Sequence, residues 1–193
     1  DPINYGDLLR GEWARCEHNL DRVVFVTSAS PPNNRKITDT AEDRHDMVVA
    51  ATAENPYFDA WRNDIDSGKV SYTLQTVQEA RRRYGKDVEL FVLLRSDYLD
   101  PKHPFCLSKW MGAQELFKEC KFIAFPNDWN QVEQTKQWAK RIPNANIEVV
   151  YAPSQPVSGD DIRGLVASGG STLYCLPWDV QQLIAKKGLY GAD

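Results

Sequence analysis

The chain has 193 residues, 42% of them hydrophobic and 26% charged, with a formal net charge of −4 and a pI near 5.4. It is long enough to bury a core without staples, and its acidic balance argues against a nucleic-acid partner, which would need a basic face. No apolar run approaches the roughly 18 residues of a membrane span and no secretory signal stands out, so a cytoplasmic protein with no membrane partner is expected.

The first seven residues, Asp1-Pro2-Ile3-Asn4-Tyr5-Gly6-Asp7, feed a helix expected over residues 8–17. A Gly-containing loop running into a helix is a ready anion site, because backbone N–H groups and the helix dipole both point at it. Leu8, Leu9, Trp13 and Cys16 recur at helical spacing and predict the packed face; Asn19 closes the helix. Residues 22–27 form a continuous apolar run, predicted to be a strand covered on both faces. The breaker-rich loop 28–36 follows at the strand's C-terminal end, where open parallel sheets place ligand loops, although its composition suits a solvent loop equally.

Asp39-x-x-Glu42 resembles a capping box and opens a helix over 40–54 that buries Met47, Val48 and Ala51; Asn55-Pro56 ends it. Residues 57–65 suggest a short strand or two, and 64–69 a turn. A helix follows from Ser71-Tyr72-Thr73, with Leu74, Val77, Ala80 and Tyr84 on its apolar face and Gly85 as its stop. Arg81-Arg82-Arg83 complements the dipole at that helix end. Strands are predicted at 88–94, 121–125 and 147–151. Between and after them come helices at 109–119 (capped by Ser108), 131–141, from Ser158-Gly159-Asp160-Asp161 to 168, and from Pro177 to 187, with Gly188 as the last stop. Strands alternating with helices predict an α/β doubly wound parallel sheet in a single domain over 1–193, with a C-terminal helical part at about 158–193.

Chemistry-bearing residues are few. Cys16, Cys106, Cys120 and Cys175 match no metal-binding spacing and read as reduced, mostly buried thiols; no metal ligand set is expected. His18, His45 and His103 lie in no catalytic motif, and the first two read as solvated or core-edge residues.

Several blocks in order resemble the bacterial nicotinate mononucleotide adenylyltransferase family. They are Asp1-Pro2-Ile3 with Gly6, residues 20–26, Pro31-Pro32, Arg44, Met47, Asn55-Pro56, Ser71-Tyr72-Thr73, Asp97, Trp110, Ile162-Arg163, Leu176-Pro177 and Gly188-Leu189-Tyr190. The resemblance implies a Rossmann-like nucleotidylyltransferase fold and the reaction of ATP, carried with Mg²⁺, with nicotinate mononucleotide to give deamido-NAD and pyrophosphate. It also assigns roles. Asn4 and Asp7 stand at the family's two motif histidines, and Arg163 closes the later motif as a phosphate clamp. Gly6, Lys36, Asp97 and Ser158 fall at nucleotide-binding positions, Thr73 and Trp110 at the nicotinate end.

The departures cluster at the phosphates. Asn4 carries no positive charge, Asp7 brings a carboxylate, and Gly159 and Asp160 replace a serine and a threonine. Two like charges about 4 Å apart repel by roughly 4 kcal/mol at an effective dielectric near 20. Arg95 stands where the family has a small residue. Two functions follow from the resemblance: an adenylyltransferase with a degenerate phosphate site, or a catalytically inactive descendant serving as a binding subunit with a protein partner. The family's central first strand precedes its Asp-Pro motif. Residues ahead of Asp1, a strand donated by a partner, or a rearranged sheet would each account for it, and the cost of unpaired backbone favours the first.

Overall fold

The computed structural model describes residues 1–30, 39–153 and 157–191. In chain order the elements are α1 (Tyr5–Glu17), β1 (Val23–Val26), α2 (Ala41–Thr52), β2 (Phe58–Trp61), α3 (Asn63–Ser67), α4 (Thr73–Tyr84), β3 (Phe91–Arg95), α5 (Ala113–Glu119), β4 (Lys121–Phe125), α6 (Val132–Ala139), β5 (Ile147–Val149), α7 (Gly159–Ala167) and α8 (Trp178–Lys187). The chain divides into two compact units, Asp1–Val70 with Gln155–Asp193, and Ser71–Ser154. Among the described residues no helix is long and apolar enough to cross a membrane.

In the first unit β1 and β2 run parallel, in register from Val23 opposite Phe58 to Val26 opposite Trp61. Helix α1 meets this pair through its smallest residues. Gly6, Gly11 and Ala14 are its buried positions, while Leu9 and Cys16 face water. A Cβ on Gly11 would lie 3.1 Å from the Phe25 ring, so helix and strand approach more closely than large side chains allow. The expected apolar stripe through Leu9 and Cys16 is therefore not the packing face. Nor is β1 covered on both faces: only Val23 is fully buried. Among the described residues no strand pairs its second edge.

Helix α2 is capped by Thr40, whose hydroxyl accepts from Asp43 N–H at 3.0 Å, one residue beyond the expected Asp39. It buries Arg44, His45, Met47 and Thr52, with Val48 and Ala51 half-buried. His45 is a core residue, its Nδ1 3.2 Å from the Thr27 hydroxyl. After β2 the chain coils into the short α3 rather than a second strand or a plain turn. Ile3, Met47, Ile162, Leu176, Val180, Ile184 and Leu189 form the unit's core. Lys187 ties α8 to α2 through Asp43 and Asp46, both at 2.7 Å, which raises the lysine to about 12.

In the second unit β3, β4 and β5 form a parallel sheet in that order. The central strand β4 is buried from Phe122 to Phe125, as a strand with neighbours on both sides requires. β3 starts at Phe91 rather than at the exposed Val88, and β5 stops at Val149. Leu74, Val77, Leu99, Leu107, Leu116 and Phe122 lead the core. Helix α5 begins at Ala113, not at Lys109. Gly112 takes φ +68, and a Cβ there would fall 2.3 Å from Leu74 Cδ2, so the chain turns on glycine before the helix starts. Cys106 and Cys120 are buried, the latter pushed to about 12 by burial, but Cys16 is exposed and Cys175 only half-buried.

Candidate functional site

At the start of α1 the backbone donors are already engaged. Asn4 Oδ1 accepts from Gly6 N–H at 2.9 Å and from Asp7 N–H at 3.3 Å. Asp7 Oδ2 accepts from Asn4 N–H at 3.2 Å, completing a capping box in which the acid serves in place of the usual Glu or Gln. Tyr5 N–H donates to the Cys175 carbonyl at 3.1 Å. Asp7 also faces Arg10 at 3.6 Å. Gly6, at the expected anion cradle, lies in a helix start whose N–H groups have acceptors within the protein.

The start of α7 repeats the device. Ser158 Oγ accepts from Asp161 N–H at 3.2 Å, and Asp161 Oδ2 from Ser158 N–H at 2.9 Å. The Ser158 hydroxyl also donates to Asp161 Oδ2 at 2.6 Å, and this bond, followed by the one from Ser158 N–H, holds the Asp161 carboxyl below its usual range. Gly159 is where the backbone of Asp1 arrives: a Cβ there would lie 2.4 Å from the Asp1 carbonyl oxygen. Arg163, its side chain 17% exposed, donates to that same carbonyl and to the Asp160 carboxylate. The Asp1 carboxylate in turn accepts from Tyr190 O–H at 2.8 Å. Burial, with the Asp39 carboxylate next in weight, pushes the Tyr190 phenol up. Asp39, Arg163 and Tyr190, with Gly164, Gly188 and Gly191, line a cleft of about 600 Å³. Behind it Arg44 donates to the carbonyls of Asp39 at 2.8 Å and Ser28 at 2.6 Å, and burial lowers its pKa. Lys36 lies outside the described residues.

In the second unit Asp97 sits in a 3₁₀ turn, Ser96–Leu99, directly after β3. Its carboxylate is held by Arg95 at 2.6 and 3.2 Å, so the side chain at the family's small-residue position pairs with the acid two residues on. Trp110 packs edge-on against Tyr98 with ring centroids 5.6 Å apart, and its indole N–H donates to the Phe105 carbonyl at 2.9 Å. Thr73 is the first residue of α4. Within the first unit, then, Asp1, Gly159, Arg163 and Tyr190 meet; within the second, Arg95 with Asp97 and Tyr98 with Trp110. The Cys175 carbonyl escaped the sequence reading, because a backbone acceptor is not advertised by residue type. Gly159 and Tyr190 were matched to motif blocks, but the contacts they make with Asp1 were not foreseen.

A family model described as cytidylyltransferase-like matches residues 1–165. A Moorella thermoacetica protein named "Probable nicotinate-nucleotide adenylyltransferase" is 36% identical over 98% of this chain and 87% of its own length. The chain belongs to the nicotinate-nucleotide adenylyltransferase family. A Thermoanaerobacter family member of the same name is 33% identical over all of this chain and 91% of its own. The Plasmodium falciparum nicotinic acid mononucleotide adenylyltransferase complexed with NaAD superposes on the whole chain and 93% of its own with a TM-score of 0.76 at 14% identity. That likeness shows the fold: the Rossmann-like α/β nucleotidylyltransferase architecture with parallel strands. The positions that the sequence singled out, Asn4, Asp7, Gly159 and Asp160, are all engaged within the first unit. Each takes part in a capping box, an ion pair or a close backbone approach of its own.

Proposed function

We propose that the chain acts in NAD biosynthesis as a nicotinate-nucleotide adenylyltransferase-like protein whose phosphate corner is degenerate and whose turnover is slow. The observation that carries the reaction class is the 36% identity to the Moorella protein across nearly the whole chain. In that reaction a phosphate oxygen of nicotinate mononucleotide attacks the α-phosphorus of ATP, the bond to the bridging oxygen breaks, and pyrophosphate leaves with the electron pair. The protein's task is to align the two nucleotides and to neutralise charge building on the leaving group. Arg163 is the cation assigned to that charge, and to serve it must exchange Asp160 or the Asp1 carbonyl for phosphate oxygens. Asn4 and Asp7 spend their side chains on α1 itself, and each lost transition-state donor costs about 3–4 kcal/mol. By the family resemblance Mg²⁺ is assigned to the triphosphate as its counter-ion.

One observation favours a second reading, an inactive descendant that binds without turning over. Tyr5, Gly6 and Asp7 N–H all have acceptors within the protein, and Arg163 and Arg95 both face aspartates. Pyrophosphate release from ATP, Mg²⁺ and nicotinate mononucleotide separates the two. Slow release that rises in the double variant Asn4→His, Asp7→His supports the enzyme. No release from either protein, with no ATP-dependent thermal shift, removes it.

A further inference from the structure

At the C-terminal ends of β3, β4 and β5 the parallel registers bring three segments level. Arg95 lies opposite Phe125, Ala124 opposite Val149, and Val150 N–H donates to the Ala124 carbonyl at 3.1 Å. The chain leaves β4 through Pro126, Asn127 and Asp128 and enters a 3₁₀ turn, Trp129–Gln131. Asp128 fixes that turn: its Oδ1 accepts from Asn130 N–H at 2.7 Å and its carbonyl from Gln131 N–H at 3.2 Å. The Trp129 indole is held out at this edge with 67% of its surface exposed. Tyr151, just beyond β5, braces it with ring centroids 5.2 Å apart and planes at 81°. A T-shaped contact covers only one side of an indole, so a broad aromatic face stays in water at a cost no packing here recovers. A cluster elsewhere in this unit behaves differently: Tyr98, His103, Phe105 and Trp110 pack on one another.

We propose that Trp129 is a stacking platform for the heteroaromatic ring of a mononucleotide. Open parallel sheets take ligands outside the carboxyl ends of their strands, which is where this indole stands. A flat exposed ring on a fixed turn suits a flat ligand ring and binds it with little ordering cost. Arg95 ends the neighbouring strand with a half-exposed guanidinium against Asp97, giving the same edge a cation for an anionic ligand. The inference rests on the nucleotide reading above and adds to it a ring contact outside the family motifs.

The test is calorimetric titration with nicotinate mononucleotide, AMP and ribose 5-phosphate, so that loss of an indole does not remove the signal. Trp129→Ala should weaken the ring-bearing ligand that binds by about tenfold, within the range of one base stacked on one aromatic side chain, and leave ribose 5-phosphate unchanged. Trp129→Phe should keep most of the affinity. Trp178→Ala removes an indole of similar exposure, 62%, in the other unit and should bind as wild type does. Wild-type affinity in Trp129→Ala overturns the platform alone, while failure of the wild-type chain to bind either nucleotide overturns the functional reading together with it.

Discussion

The start of α1 and the strand ends of the second unit make opposite use of their polar and aromatic groups. At α1 every first-turn donor is spent inside the protein, on Asn4 and on the Cys175 carbonyl. At the strand ends Trp129 presents a ring to water and Trp110 is only half-buried. The contrast teaches that the two regions satisfy themselves differently. The first turn of α1 is closed by bonds within the protein, whereas the turn after β4 leaves the Trp129 ring in water.

The strongest blow to that contrast comes at Gly159. Gly159→Ser restores the family residue but sets a Cβ 2.4 Å from the Asp1 carbonyl oxygen, so backbone must move. Overpacking of this kind costs about 1–3 kcal/mol, which thermal scans will read as a Tm lower by about 2–4 °C per kcal/mol. An unchanged Tm would mean that Asp1 yields freely and the closure is loose. Asn4→Ala is the next largest. It removes the acceptor of Gly6 and Asp7 N–H and should cost about 1 kcal/mol. It should also make the variant respond more strongly than wild type to added pyrophosphate, because two donors at the positive end of a helix are released. Equal responses would show that those donors were never the obstacle to anion binding.

The smallest effect probes how firmly the far side of α1 is held. Glu12 is lowered from 4.5 to about 2, chiefly by its hydrogen bond from Arg15, with Asn55 adding another at 3.2 Å. A carboxylate depressed on folding contributes stability that is complete above its ordinary value and is lost as pH falls through its folded one. Glu12→Gln should therefore lower Tm slightly at neutral pH, because a partly exposed pair is weak, and that deficit should shrink as pH falls from 4.5 to about 2, flattening this part of the profile. A profile as steep as that of wild type would assign the acid sensitivity to other carboxylates.

Much of the architecture was legible because it is written in periodic or punctuating residues. Gly85 and Gly188 end helices as expected, at φ +95 and +61, and Ser158 caps α7. Asn19 closes the first helix at φ +51. What stayed hidden depended on close approach. The packing face of α1 is marked by Gly11 and Ala14, and a search for large apolar residues passes over it. Gly112 delays α5 because Leu74 occupies the space a side chain would need. The candidate site follows the same rule. Asn4, Asp7 and Arg163 were found as positions, but Asn4 and Asp7 turn their polar atoms onto each other within the first turn of α1, and Arg163 turns onto Asp1, 162 residues away in sequence.

The bond from Tyr190 to Asp1 sets an order of events during synthesis. Residues Ser71–Ser154 form a contiguous unit that can assemble while translation continues, whereas the other unit is made of two segments separated in sequence, Asp1–Val70 and Gln155–Asp193. Asp1 therefore waits for Arg163 and Tyr190 to leave the ribosome, and the segment leading into α1 takes its final shape last.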